Sequence, residues 1–224
     1  IATDPEDGDL SASVRWSSSI AGNLGTGAAV VVPSLGAGTH VLTATVTDAD
    51  GATSTATVTI TLAAAQLTFP AIADTYVDGS ATTKNSGTAL QLFGDGTPVK
   101  QTFLRFTVAG LGNFSVQQAL LRLTADSATA SSSASGGSMH LISDNSWSEA
   151  STTFANKPTI DGPAIATRGA VALNAVVDYD VTPVVLADGA YNFALDTTNA
   201  DDVIWKSREA TSGKPSLILN LTQN

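Results

Sequence analysis

Two runs, His40-Val-Leu-Thr-Ala-Thr-Val-Thr47 and Thr55-Ala-Thr-Val-Thr-Ile-Thr-Leu62, place an apolar or β-branched residue at every second position, with Asp48-Ala-Asp-Gly51 between them. Period-two alternation on either side of an Asp/Gly turn is the pattern of an antiparallel hairpin. Towards the N-terminus, Ser13-Val-Arg-Trp-Ser17 and residues 28–32 are expected as further strands, with Val14 and Trp16 on one face. The region therefore reads as β-structure with Trp16 in its core.

Residues 1–62 read accordingly as a small immunoglobulin-like sandwich. Residues 63–67 follow as a linker, and residues 68–224 form a second domain of about ten expected strands. They centre on Thr75–Val77, Ala89–Phe93, Thr102–Val108, Ala119–Thr124, Met139–Ile142, Ala170–Leu173, Val177–Val181, Ala190–Leu195, Asp202–Trp205 and Ser216–Leu221. Strand follows strand between Gly, Asp, Asn and Pro turns with no helical period, which suits a β-jelly roll. Ser127–Ser138, made entirely of Ala, Ser, Thr and Gly, is expected to be a long mobile loop. The fold class is all-β.

Composition narrows the functions. Charged residues are 13% of the 224, against roughly a quarter in ordinary globular chains, so Thr, Ser, Asn and Gly must solvate the surface, as in secreted β-proteins. Ten basic against 20 acidic residues argue against nucleic acid and anionic membranes as partners. No apolar run approaches the ~18 residues of a membrane span, so no membrane insertion is expected. The chain has no cysteine, and its histidines, His40 and His140, stand far apart, which leaves little for a thiolate, His-zinc or Ser-His-Asp site.

The first region resembles bacterial PKD/cadherin-like repeats, through Asp4-Pro-Glu-Asp-Gly8, Gly38-Thr-His-Val-Leu-Thr-Ala-Thr-Val-Thr-Asp-Ala-Asp-Gly51 and the Thr/Val ladder after it. In that pattern the first strands of the repeat would lie before Ile1. The expectation is a piece of a longer protein, or a neighbour that supplies the strand. The second region resembles, over nearly its whole length, the DNRLRE-type carbohydrate-binding modules. The match rests on Ala73-Asp-Thr-Tyr-Val77, Phe103-Leu-Arg-Phe106, Ala119-Leu-Leu-Arg-Leu123, Asp144-Asn-Ser-Trp-Ser-Glu149, Asp180-Val-Thr182, Asp188-Gly-Ala-Tyr-Asn-Phe-Ala-Leu195 and Ser207-Arg-Glu209. That resemblance implies a jelly roll of a secreted or cell-surface bacterial protein that binds polysaccharide without catalysis, with alginate-like polyuronates a recurrent ligand. The second expectation, of another class, is a structural subunit of an adhesin or filament completed by a neighbouring subunit's strand.

Alternation turns Arg105 away from Leu104, Phe106 and Val108, and Arg122 away from Leu121 and Leu123. Both guanidinium groups are candidates for bidentate uronate contacts, with Lys206 and Arg208 beside Trp205 as a second group. The competing reading pairs Arg105 and Arg208 internally with Glu209 or Asp180. Trp147 is open to two readings, a sugar platform or, as its match to the family motif implies, a loop anchor packed on the sheet. Asp178 and Asp180 share a strand face about 6–7 Å apart, superficially like a glycosidase pair, but they do not flank a cleft. In the first region Asp4, Glu6, Asp7, Asp9, Asp48 and Asp50 face the single base Arg15, and their convergence at one pole is weighed evenly between a Ca²⁺ site and plain acidic turns.

Overall fold

The computed structural model describes residues 1–32, 35–128 and 131–223. Among these residues the chain is all-β, without an α-helix, and divides into two compact units, Ile1–Ala65 with Leu221–Asn224, and Gln66–Asn220.

In the first unit β1 (Thr3–Asp4) and β2 (Gly8–Asp9) form a two-rung ladder, and a 3-10 turn spans Ser11–Ser13. β3 (Arg15–Ser18), β4 (Gly22–Thr26), β5 (Gly38–Thr47) and β6 (Thr53–Leu62) make an antiparallel sheet in the order β4-β3-β5-β6. The register follows from the alternation. Leu42 opposes Val58 and Ala44 opposes both Ala56 and Trp16, whereas Thr43 opposes Thr57 and Thr45 opposes Thr55, so one face is apolar and the other a threonine ladder. Asp48 closes the hairpin by accepting the Ala52 N–H at its side chain (2.8 Å), and Gly51 takes φ 86°, a left-handed value that glycine adopts freely.

Two expectations fail here. Residues 28–32 are not a strand; β3 pairs instead with Gly22–Thr26, while Val31 is exposed. Trp16 is half-buried, donating Nε1–H to the Gly27 carbonyl at 2.8 Å, because the layer facing its sheet is confined to a few residues around β1.

The second unit is a two-layer sandwich. Its strands are β7 (Ala64–Pro70), β8 (Ala73–Asp78), β9 (Gln91–Gly96), β10 (Val99–Val108), β11 (Phe114–Thr124), β12 (Gly137–Leu141), β13 (Ala164–Arg168), β14 (Val176–Asp180), β15 (Gly189–Asp196), β16 (Val203–Lys206) and β17 (Ser216–Gln223). One sheet runs β14-β11-β17-β7; the other runs β13-β12-β15-β10-β9-β16, with β8 also paired to β10. Leu104, Phe106, Phe193 and Leu195 of the larger sheet and Leu121, Leu123, Tyr179, Leu217 and Leu219 of the smaller are almost wholly buried. Stripping such a side chain to alanine costs about 2–5 kcal/mol.

Residues expected as a linker thus enter strand β7, whose Leu67 and Phe69 alternate with exposed Gln66 and Thr68. The strand expected at Ala170–Leu173 is only a bridge from Val171 to Ser133, and the strand proper is β13. The Ser127–Ser138 stretch is tied down where it is described. Ser133 bonds Val171 and the Asp201 carbonyl, and Gly137 opens β12; Thr129 and Ala130 lie outside the described residues.

Candidate functional site

The two sheets of the sandwich differ on their outer faces. On the larger sheet, Val77, Phe103 and Ala194 pack against Ile142 and Trp147, with Ala73, Phe154 and Ile160 at the edge, so the segment from 142 to 160 covers this face. Arg105 holds the cover. Its guanidinium lies 4.6 Å from the Trp147 ring and donates to Asn192 Oδ1 (2.7 Å) and to the carbonyls of Asn145 (2.7 Å) and Trp147 (2.9 Å). Asn192 Oδ1 also accepts the Trp147 indole N–H at 3.0 Å. Burial lowers the Arg105 pKa, which nearby Asp144 partly offsets. Arg105 therefore points outward as its alternation requires, yet meets covering chain rather than solvent. Trp147 anchors that chain on the sheet.

A second clamp fixes the same segment. Arg208 donates Nε to Glu149 Oε1 (2.7 Å) and a terminal nitrogen to Glu149 Oε2 (2.9 Å), stands 3.0 Å from Glu209 Oε1, and gives its backbone N–H to Asp74 Oδ2 at 2.7 Å. Gly87 lies so close to Glu149 that a Cβ there would collide with it. Asp74 is 1% exposed, and its carboxyl is pushed up to about 7, by burial first and then by Glu209 and Glu149, against the Arg208 N–H that lowers it. Glu209 Oε2 is buried without a hydrogen-bond partner. Asp74, Glu149 and Glu209 each place an oxygen within 4.8 Å of the others, the only such set of three among the described residues. The internal ion pair of Arg208 is thus with Glu149 and Glu209, and Arg105 pairs with an amide and two carbonyls instead of a carboxylate.

The outer face of the smaller sheet is open. Alternation points Gln118, Leu120, Arg122 and Thr124 of β11 outward, opposite the buried Ala119, Leu121 and Leu123. Across three neighbouring strands runs a row of amides: Gln66 donates to Asn220 Oδ1 at 2.8 Å, and Asn220 donates to Gln118 Oε1 at 2.9 Å. Each amide keeps further donor and acceptor capacity for solvent or a hydroxylated ligand. Beside the row, Arg122 grips Asp178 bidentately (2.7 and 2.8 Å) and is 41% exposed, while Arg168 donates to the Asp178 carbonyl. Two guanidinium groups thus meet at Asp178, Arg122 on its carboxylate and Arg168 on its backbone carbonyl. Lys206 lies at the same end, since a side chain at Gly213 would meet both Lys206 and Thr124; among the described residues Lys206 forms no ion pair.

The expected ligand residues are therefore scattered. Arg122 and Lys206 share the open face, Arg105 and Arg208 lie under the covered one, and Trp205 is no platform at all. Its ring is 0% exposed, edge-on to Tyr179 at 6.3 Å, and no sugar can reach it. Gln66, Gln118, Asn220 and Arg168 were not anticipated; the readable signal was a lone Asn inside Leu217-Ile-Leu-Asn-Leu221. Asp178 and Asp180 are not arranged as a hydrolytic pair. Asp178 is tied to Arg122, and Asp180, its pKa lowered by the hydroxyl and N–H of Thr182, lacks the raised pKa of a general acid.

Four of the six N-terminal carboxylates accept backbone N–H groups in or between the two acidic turns. Asp4 caps the N–H groups of Glu6 and Asp7, Asp9 caps Ser11, Asp48 caps Ala52 and Asp7 accepts the Ala49 N–H. The last bond does bring the two acidic turns together, but no three of the six carboxylates approach as a group. Turn capping accounts for most of them.

A family model for carbohydrate-binding modules, family 96, matches residues 65–221. The chain belongs to carbohydrate-binding module family 96. No curated protein matches it. A solved structure, "The structure of CBM51-2 in complex with GlcNAc and INT domains from Clostridium perfringens ZmpB", is 14% identical, covers 99% of this chain and has a TM-score of 0.25. The chain spans 43% of that one, and a score so low carries no argument. Family 96 is a family of carbohydrate-binding modules, which fits a non-catalytic binding role.

Proposed function

We propose that this family 96 module binds polysaccharide on the open face of its smaller sheet, and that the ligand is a polyuronate of the alginate type. One observation carries the reading: Arg122 and Arg168 converge on the single residue Asp178, with Lys206 nearby, beside the Gln66–Asn220–Gln118 row. This is a locally basic end on a chain of net charge −10, joined to planar amides suited to sugar hydroxyls. The proposal extends to a DNRLRE-type module with an Ig-like spacer, acting as the targeting part of a longer secreted protein. Calcium belongs to it as a stabilising ion. Asp74, Glu149 and Glu209 are the oxygens close enough to share one, and a calcium titration of the unfolding midpoint tests that.

The test of binding is affinity electrophoresis in gels containing alginate or a neutral glucan. Retardation by alginate, reduced about tenfold in affinity by Arg122→Ala or Lys206→Ala at unchanged thermal stability, is expected. Retardation by the glucan alone refutes the uronate class, and retardation untouched by any open-face substitution refutes the face.

A further inference from the structure

The two histidines are wired in opposite ways. His40, in the first unit, is buried, with Nδ1 2.7 Å from Ser18 Oγ and Nε2 2.8 Å from the Gly36 carbonyl. Ser18 Oγ already accepts the N–H groups of Ile20 and Ala21, so its own proton goes to Nδ1, and a single ring N–H, at Nε2, serves the carbonyl. A neutral ring leaves nothing unpaired there. In the second unit His140 places Nδ1 2.9 Å from the Gly162 carbonyl and Nε2 3.1 Å from Asp196 Oδ1. Both partners, a carbonyl and a carboxylate, only accept. A neutral ring has one N–H to give and would turn a lone pair on the other oxygen, whereas the imidazolium donates to both. The side chain is 13% exposed, so water is poorly placed to mend the mismatch.

These bonds sit where the cover of the larger sheet rejoins it. His140 stands at a register shift of the β12–β13 pair, an irregularity of the kind that re-aims a side chain. Gly162 passes so close to β12 that a Cβ there would strike the Leu141 carbonyl, and Asp161 accepts the backbone N–H and the hydroxyl of Ser143. His140 therefore joins the returning end of the cover to β15, through Asp196. The charged groups on the elements around it are few: Asp196 on β15, Arg168 on β13, and Asp144, Glu149, Lys157 and Asp161 on the cover and its return. Asp144 lies by Arg105, Glu149 is held by Arg208, and Arg168 is spent on the Asp178 carbonyl. Lys157, whose charge burial disfavours, shares Asp196 with His140. We propose that His140 is a pH-sensitive latch on the cover: charged, it holds Gly162 and Asp196 together, and on losing a proton it lets go of one and loosens the segment. The hold is present in acid and is lost as pH rises through the range of about 5 to 8 in which histidine changes charge.

Amide hydrogen exchange of the full chain between pH 5 and 8, corrected for the intrinsic pH dependence of exchange, tests the latch. Across that range, protection of residues 142–162 should fall about five- to tenfold more in the native chain than in His140→Gln, which keeps a side-chain donor but does not titrate. Asp74, present in both chains, cancels from the comparison. Amides of β11 and β17 should show no such difference. Asp196→Asn, whose amide can donate to a neutral ring, should flatten the profile in the same way; its side chain is 37% exposed, and it takes the place of His140→Gln if that variant does not fold. Equal profiles in native and variant chains would overturn the proposal. So would a difference of the same size at β11 and β17, which would mark unfolding of the whole unit and not release of the cover.

Discussion

The two outer faces of the sandwich carry arginines at equivalent points of the sequence pattern, and they have opposite fates. Arg105 and Arg122 both alternate with buried leucines and both leave the core. Arg105 then meets the 142–160 segment and becomes a clamp, with three hydrogen bonds and an indole beneath it, whereas Arg122 meets solvent and one carboxylate. Strand alternation decides which way a side chain points. Whether anything waits there is decided by a loop outside the strand ladders, and only that second fact separates a structural arginine from one available to ligand.

The comparison breaks most visibly on the clamped side. Arg105→Ala should remove about 3–5 kcal/mol of stability, since it leaves Asn192 and two carbonyls short of a donor and uncovers Trp147; chemical denaturation measures it. Loss of glycan binding without loss of stability would move the binding site to the covered face.

The buried carboxylates give the next effect, and its sign is fixed. Asp74 holds its proton more tightly when folded, at about 7, than its ordinary value of 3.8. Its contribution is therefore fully present below about pH 4 and is lost as pH rises through 7, a term of about 2–4 kcal/mol. Unfolding in EDTA should show this decline, Asp74→Asn should flatten it, and calcium should restore stability chiefly at the alkaline end. A calcium shift removed by Asp48→Ala with Asp50→Ala, and unaffected by Glu209→Gln, would return the ion to the first unit.

Smaller again is the Arg122–Asp178 pair. It is exposed, so Asp178→Ala should change stability by about 1 kcal/mol or less while strengthening polyuronate binding by freeing Arg122. Weaker binding would show that Asp178 positions the arginine and does not compete with the ligand.

Much of this was legible in the chain, for reasons that particular residues make clear. The β5–β6 hairpin follows from its threonine alternation and Asp48–Gly51 turn, and the outward turn of Arg105 and Arg122 follows from their leucine neighbours. β7 escaped notice because alanines at its start hide a short Leu67/Phe69 alternation. Trp205 misled because Val203, Ile204 and Trp205 are all buried, so alternation gives no clue to the ring's direction. The amide row needs three strands far apart in sequence, Gln66 and Asn220 being 154 residues distant. No local pattern encodes such a meeting.

The central claim is that the open face binds and the covered face holds. It is tested most directly by titrating isotope-labelled protein with alginate oligosaccharides and following the side-chain amide resonances. The account predicts saturable shifts at Gln66, Gln118 and Asn220 with the Asn192 amide unmoved. Shifts centred on Asn192 and the Trp147 indole, with the amide row silent, would contradict it.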